Sequence, residues 1–455
     1  MKSNLKIVYT VIIIITVFIL LGSYLSSRKN IDSTMRPNFI LIMADDLGYG
    51  DIGCYGSKTI YTPILDRLAS EGMRFTDYHS NGAVCSPTRA ALMTGKYQQR
   101  VGIEGVITAA HHRHVGLALK EVTLAEALKK AGYVTGMFGK WHLGYAEKYN
   151  PTRQGFDEFK GYVSGNVDYF SHIDQEGYFD WWQNTTLKDD KGYSTDLLTH
   201  YGIDFIKRHK NGPFFLYLPY EAPHYPYQAR YSKPIRTKGS SKARNKAVPA
   251  DSIPGIYKEM VEVMDEDIGK IMQVLKEEQL TKNTFVFFCS DNGGVRNYGK
   301  HNFPLRGWKG QLYEGGHRVP AIAWWPGKIK AGTQSDETIM SMDIFPTFLD
   351  LARGVPMKGL DGISFGKVLF ENGTMPDRLL FWRFHHVRTI RQGDWKLLVT
   401  ERKTTQDHIE LYNLKDDLSE TKNLAGEKPG LVKILQKKLN KWEKEVTKGV
   451  TFLSQ

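Results

Sequence analysis

Asn38-Phe39-Ile40-Leu41-Ile42-Met43 runs straight into Ala44-Asp45-Asp46, and this stretch organises the reading of the whole chain. It is a short apolar run bounded by polar residues, the pattern of a buried strand. Three more runs repeat it. Tyr133 to Phe138 leads into Gly139-Lys140-Trp141-His142, Phe214 to Tyr220 into Glu221-Ala222-Pro223-His224, and Thr284 to Cys289 into Ser290-Asp291-Asn292-Gly293-Gly294. The runs alternate with helical patterns, which predicts an α/β fold: a mostly parallel central sheet flanked by helices. In such sheets ligands bind outside the carboxyl ends of the strands, so four polar clusters should converge on one site. Two of them bring acids and two bring cations.

The 455 residues suffice for one large α/β domain, expected over 36–356, and a smaller one over 357–455. In the second part Arg378 to Arg383, Val387 to Ile390, Trp395 to Thr400 and Glu410 to Tyr412 read as short strands joined by polar turns. A terminal helix from about Leu431 to Val446 should bury Leu431, Ile434, Leu435, Leu439 and Trp442. This predicts a small α+β subdomain. With 41% hydrophobic and 12% aromatic residues the composition is that of a globular protein. The net charge of +12 suits an acidic partner without identifying one, and no nucleic-acid partner is expected.

At the start, Lys2 and Lys6 precede an apolar run from Ile7 to Leu21, followed by Gly22 and Ser23. Residues 1–30 therefore read as a signal peptide or an N-terminal membrane anchor, and the protein as exported, periplasmic, extracellular or anchored facing outward. Three cysteines, Cys54, Cys85 and Cys289, are too few for a disulfide scaffold. Cys54 and Cys289 sit in apolar contexts and read as buried free thiols. Cys85 is different.

It opens Cys85-Ser86-Pro87-Thr88-Arg89, followed by Ala90-Ala91-Leu92-Met93-Thr94-Gly95. Pro87 suits the first turn of a helix and Gly95 its end. Arg89, four residues after Cys85, then shares its face, and a helix N-terminus beside a guanidinium attracts a tetrahedral oxyanion. Asp45, Asp46, Asp291 and Asn292 offer hard oxygen ligands for Ca²⁺ or Mg²⁺. An Asp-Asp pair alone is more often a turn or a cap; the second pair gives it weight.

With Asp45-Asp46-Leu47-Gly48-Tyr49-Gly50-Asp51, Gly139-Lys140-Trp141-His142-Leu143-Gly144, Arg306-Gly307-Trp308-Lys309-Gly310 and Glu314-Gly315-Gly316 in order around the Cys85 motif, the chain resembles the sulfatase family. The likeness is to its formylglycine-dependent arylsulfatase and N-acetylgalactosamine-sulfatase branch, within the alkaline-phosphatase superfamily. It implies oxidation of Cys85 to Cα-formylglycine by a maturation enzyme. It also implies one divalent ion, Ca²⁺ with Mg²⁺ as the alternative, bound by Asp45, Asp46, Asp291, Asn292 and the modified Cys85. The resemblance further makes Arg89, Lys140, His142, His224 and Lys309 the catalytic cations. In that scheme Lys140 and Lys309 hold sulfate oxygens, His224 protonates the leaving group, His142 deprotonates the formylglycine hydrate, and Arg89 holds it in place. The implied reaction is hydrolysis of a sulfate ester, on a sulfated sugar or polysaccharide.

Neighbouring residues extend these expectations. His301, Arg306 and His385, with His386 beside it, are candidates to contact substrate. His111, His112 and His114 lack an acid or cysteine to complete a metal cluster and read as a polar loop at the site's mouth. Lys233 to Lys246 carries six cations and no acid, and reads as an exposed loop able to recruit a polyanion. Two other functions fit the residues: a formylglycine-dependent phosphodiesterase or phosphatase of the same superfamily, and a catalytically silent sulfated-glycan binder.

Overall fold

The computed structural model describes residues 36–451 apart from 241–247, 297–300, 403 and 405. The expected signal or anchor, and Lys242, Arg244 and Lys246 of the basic stretch, lie outside the described residues. Among the described residues no helix is long and apolar enough to cross a membrane.

The four apolar runs form four adjacent strands, in the order Thr284–Ser290, Asn38–Ala44, Phe214–Pro219, Val134–Lys140, all parallel. Side chains alternate across the sheet. Ile40, Ile42 and Ala44 enter one core with residues of the helices Ser194–His209 and Ile253–Glu277. Phe39, Leu41 and Met43 enter the other, with Leu92 and Met93 of Cys85–Thr94, Leu128 of Leu124–Lys130 and Phe348 of Ile344–Leu351. Burial on both faces explains why these strands read as unbroken apolar runs. Truncating Leu41, fully buried, to Ala should cost about 2–5 kcal/mol.

Outside this centre the sheet is mixed. Ala321–Trp324 pairs antiparallel with Thr284–Ser290 and with Met73–Phe75, while Trp182–Gln183 and Thr186–Leu187 close the far edge as an antiparallel pair. The sheet has ten strands in all among the described residues, so the expected parallel order holds for its middle and gives way at its edges.

The C-terminal part forms a separate four-stranded antiparallel sheet, Leu379–Phe384, Val387–Gln392, Trp395–Thr400 and His408–Asn413, covered by helix Pro429–Val446. That helix buries Val432, Leu435, Leu439, Trp442 and Val446, whereas Ile434 is 54% exposed. The expected face is thus rotated: Val432 and Val446 complete the stripe, and Ile434 lies off it. Packing also runs across residue 357, because Ala91, Tyr97, Leu312 and Met342 share a core with Trp382, Leu397 and Leu439.

Candidate active site

Strand register brings the polar ends together. Met43 and Ala44 lie opposite Cys289 and Ser290, so the chains leave the sheet side by side at Asp45 and Asp291. Asp291 N–H donates to Ala44 O at 3.1 Å, Asp45 N–H to Ala222 O at 3.1 Å, and Asp46 N–H to Asp291 Oδ1 at 3.2 Å. On the far side of the Phe214–Pro219 strand, Gly139 has φ +139°, and a Cβ there would stand 2.1 Å from Pro219 O. Only glycine permits that approach.

Cys85 starts a helix whose ten residues are all buried and which ends at Gly95 with φ +65°. Its Sγ lies 3.4 Å from Asp45 Oδ1 and 3.4 Å from Lys309 Nζ. Lys309 Nζ is 2.6 Å from Asp46 Oδ1, and Lys140 Nζ pairs with Asp45 Oδ2. Arg89 donates from Nε and Nη2 to Asp291 Oδ2 at 3.1 and 2.8 Å, and from Nη1 to the Lys140 carbonyl at 3.1 Å. Its guanidinium therefore braces an acid and a strand end. Asn292 Nδ2 donates to Asp46 Oδ1 at 2.8 Å, while its Oδ1 is buried without a hydrogen-bond partner. Asp46 and His142 hold φ of +66° and +57°, a left-handed conformation that costs about 1–3 kcal/mol per non-glycine residue and gathers at functional sites.

Charge and burial set the protonation states. Burial pushes the Asp46 carboxyl up, but the Lys309 ammonium, with the Asn292 amide donating as well, outweighs it and holds the group at about 2. Burial and the Asp45 carboxylate raise Asp291 to about 6, against the pull of Arg89. For Lys309, burial is overcome by Asp46, and for Lys140 by Asp45, so both ammonium groups stay charged. Burial and Asp45 push the Cys85 thiol up, which disfavours the thiolate. Both histidines are held neutral. Burial, with Lys140 and Arg89, lowers His142 well below the imidazole range; burial, with Lys309 and Lys140 and against Asp46, does the same to His224. His142 Nε2 lies 3.1 Å from Ile107 O, which fixes its proton there and leaves Nδ1, buried and without a partner, as a bare lone pair. His224 Nδ1 is 2.6 Å from Tyr225 O, and its Nε2 lies 3.7 Å from Asp46 Oδ2.

Asp46, Cys85, His142, His224 and Lys309 share a cleft of about 520 Å³. The sulfatase family model matches residues 37–355, about seven-tenths of the chain. The chain belongs to the sulfatase family. A second model, N-sulphoglucosamine sulphohydrolase C-terminal, matches residues 306–445 of this sulfatase. It is 37% identical to human N-acetylgalactosamine-6-sulfatase, over 76% of this chain and 68% of that protein. It is 32% identical to mouse arylsulfatase J, over 90% of this chain and 76% of that protein. The crystal structure titled Ps i-CgsB in complex with k-i-k-neocarrahexaose superposes with TM-score 0.81 at 30% identity, covering 92% of this chain and 96% of that one. The sulfatase is accordingly a sulfuric ester hydrolase with an alkaline-phosphatase-like fold.

Other residues singled out in the sequence of this sulfatase fall elsewhere. His301 Nδ1 lies 2.7 Å from Asp51 Oδ1 and its ring packs on Tyr257 in a different cavity, of about 660 Å³. Arg306 turns to the C-terminal sheet, donating to Tyr412 Oη at 3.0 Å and Glu420 O at 2.7 Å. His385 and His386 are exposed in the turn after Leu379–Phe384, with the His385 ring against Phe384. None of His301, Arg306 and His385 is among the described residues that line the cleft. His111 does line it, whereas His112 Nδ1 is occupied by Thr108. Arg236, read as part of an exposed basic loop, is 2% exposed and donates to Ile173 O at 3.2 Å. Cys54 and Cys289 form no disulfide; Cys289 is buried and Cys54 half-buried. No motif or spacing marks Tyr145, Ser164, Asn166, Gln175, Glu176 and Tyr225, which form the cleft's wall.

Proposed function

We propose that this sulfatase hydrolyses the sulfate ester of a sugar unit in a sulfated polysaccharide. In this reading Cys85 is present as formylglycine and one hard divalent ion, Ca²⁺ or alternatively Mg²⁺, is held by Asp45, Asp46, Asp291, Asn292 and residue 85. The observation that carries it is Cys85 Sγ standing 3.4 Å from both Asp45 and Lys309 at a helix start on the cleft floor. A buried thiol whose ionisation is disfavoured is a poor nucleophile, which supports a modified side chain there. Three carboxylates and an amide oxygen without a partner form an all-oxygen donor set suited to a hard cation.

When present, the formylglycine hydrate supplies the attacking hydroxyl and the ion supplies positive charge at the sulfate oxygens. The remaining work falls to the chain's own residues. Lys140, buried, and Lys309, partly exposed to the cleft, are both charged beside the acids; they turn to the sulfate oxygens and match charge that grows in the transition state. His142, neutral with a bare Nδ1, would serve as the base that takes a proton from the residue-85 diol so that sulfate is released. His224 donates through Nδ1 to a carbonyl, so its Nε2 delivers a proton to the leaving oxygen from the imidazolium form, which the sulfate's negative charge favours. Arg89 aims the Asp291 carboxylate and opposes the burial that raises it.

The carbohydrate reading draws on the relatives, one named for an N-acetylgalactosamine 6-sulfate and one bound to a neocarrahexaose. The apolar run from Ile7 to Leu21 supports export, with residues 1–30 as signal or anchor, and a formylglycine-generating enzyme is the partner the site requires. Protein produced with and without such an enzyme should be assayed on sulfated saccharides. Turnover confined to the co-expressed protein is the expected result; equal turnover in both overturns the reading.

A further inference from the structure

Beside the catalytic cations the cleft has a wall of different chemistry. It begins at His142: a Cβ added to Gly165 would stand 2.9 Å from His142 Nε2, so the 164–166 segment lies directly against that ring. The next side chain, Asn166, is 5% exposed, and its Oδ1 is buried without a hydrogen-bond partner. Its Nδ2 donates to Gln175 Oε1 at 3.2 Å, and Tyr225 Oη donates to the same oxygen at 2.8 Å. Two donors on Oε1 fix the Gln175 amide and leave its Nε2 for something else. Glu176 also lines the cleft. The nearby Arg113 pairs with Asp174 at 3.0 Å and lies over the Tyr145 and Tyr178 rings, so its charge is committed elsewhere.

We propose that Asn166, Gln175 and Glu176 read the sugar ring that carries the scissile sulfate, and that they select a ring presenting hydroxyl or amide hydrogens, with no second anionic group, to this wall. The inference rests on the sulfatase reading. Asn166 Oδ1 and the Glu176 carboxylate accept hydrogen bonds, Gln175 Nε2 donates one, and among the described residues no cation is hydrogen-bonded or ion-paired to any of the three. A buried acceptor without a partner discriminates strongly, because a ligand lacking the matching donor leaves it unpaired. Glu176 repels a carboxylate or a second sulfate at the same place. The cations gathered around Cys85 bind the scissile sulfate, and the wall chooses what it is attached to.

The test uses matured full-length enzyme, 4-nitrophenyl sulfate, the 4- and 6-sulfates of galactose and N-acetylgalactosamine, and a 4,6-disulfated N-acetylgalactosamine. The parent should prefer at least one monosulfated sugar to the aryl sulfate. Asn166→Ala should cut kcat/KM for that sugar roughly a hundredfold and for the aryl sulfate less than about tenfold. Asn166→Asp, which keeps an acceptor but loses the bond to Gln175, should recover at least about tenfold of the loss. Glu176→Gln should raise the disulfated-to-monosulfated ratio about tenfold. Equal losses on sugar and aryl sulfate, equal losses for Ala and Asp at 166, an unmoved ratio, or a parent preferring the aryl sulfate to every monosulfated sugar overturns the proposal. A parent inert on all six compounds defeats the sulfatase reading itself.

Discussion

At the end of the Asn38–Ala44 strand, Asp45, Asp46 and Asp291 face Arg89, Lys140 and Lys309; at the seam with the C-terminal sheet, Asp77, Glu314 and Glu420 face Arg318, Arg391 and Lys396. Both are buried, and both bring metal-ligating atoms within 4.8 Å of one another: Asp45, Asp46, Cys85 and His224 in the first, His79, Glu314 and His317 in the second. The second is closed. Lys396 Nζ lies 2.8 Å from Glu314 Oε1 and 2.9 Å from Glu420 Oε1, Arg391 grips Asp77 at 2.9 and 2.7 Å, and Trp382 stacks on His317. The first opens on the cleft and keeps Asn292 Oδ1 and His142 Nδ1 without partners. Residue type and burial are shared; what distinguishes a reactive site is coordinating capacity left over and a way in. One cluster should govern turnover and the other stability.

The sharpest way to break that comparison is to exchange the two effects. Cys85→Ala should lower kcat by about 10⁴-fold or more while the melting temperature stays at the parent's value. Lys396→Met should do the reverse. It leaves Glu314 and Glu420 buried without their cation, so urea unfolding should show a loss of about 3–5 kcal/mol, with kcat per folded molecule retained. If Lys396→Met abolishes turnover in protein that remains folded, the two clusters are not separate in function.

Asp291→Ala separates them more finely. It removes a proposed ion ligand and the partner of Arg89, so calcium affinity, read by titration calorimetry, should fall by at least about tenfold, the loss that even an outer-shell partner causes. Activity should fall with it. The smallest effect is that of pH on stability. Burial, foremost, lowers both His79 and His317 in the folded protein. The unfolded chain therefore takes up protons first, and the stability present above about pH 6.5 is lost as pH falls towards the folded values. Each histidine contributes at most about 1.4 kcal/mol per pH unit. Urea midpoints from pH 7.5 to 5 should show this decline, and His317→Gln should flatten it.

Much of this was legible in the sequence for a physical reason. Strands buried on both faces must be apolar throughout, so the four central runs stand out, and their ends mark where polar residues such as Asp45, Lys140, His224 and Asp291 meet. The edges were not legible, because two- and three-residue strands such as Trp182–Gln183 carry no period. On the last helix, Ile434 and Val432 both fit helical spacing beside Leu435, and only docking on the sheet chooses Val432. Arg306 lies three residues from Lys309 yet points the other way, towards Tyr412, an orientation that nearness in sequence does not reveal. Arg236 shows that a basic run does not guarantee exposure. The wall at Asn166, Gln175 and Glu176 is polar and aperiodic, and only tertiary contact with His142 and Tyr225 marks it.

The most direct measurement is mass spectrometry of the peptide carrying residue 85, on preparations whose maturation is varied, set against turnover of 4-nitrophenyl sulfate by the same samples. Turnover should rise in proportion to the fraction bearing the aldehyde or its hydrate and extrapolate to zero where only cysteine is present. Full turnover in a preparation whose residue 85 is entirely unmodified cysteine would contradict the proposed chemistry.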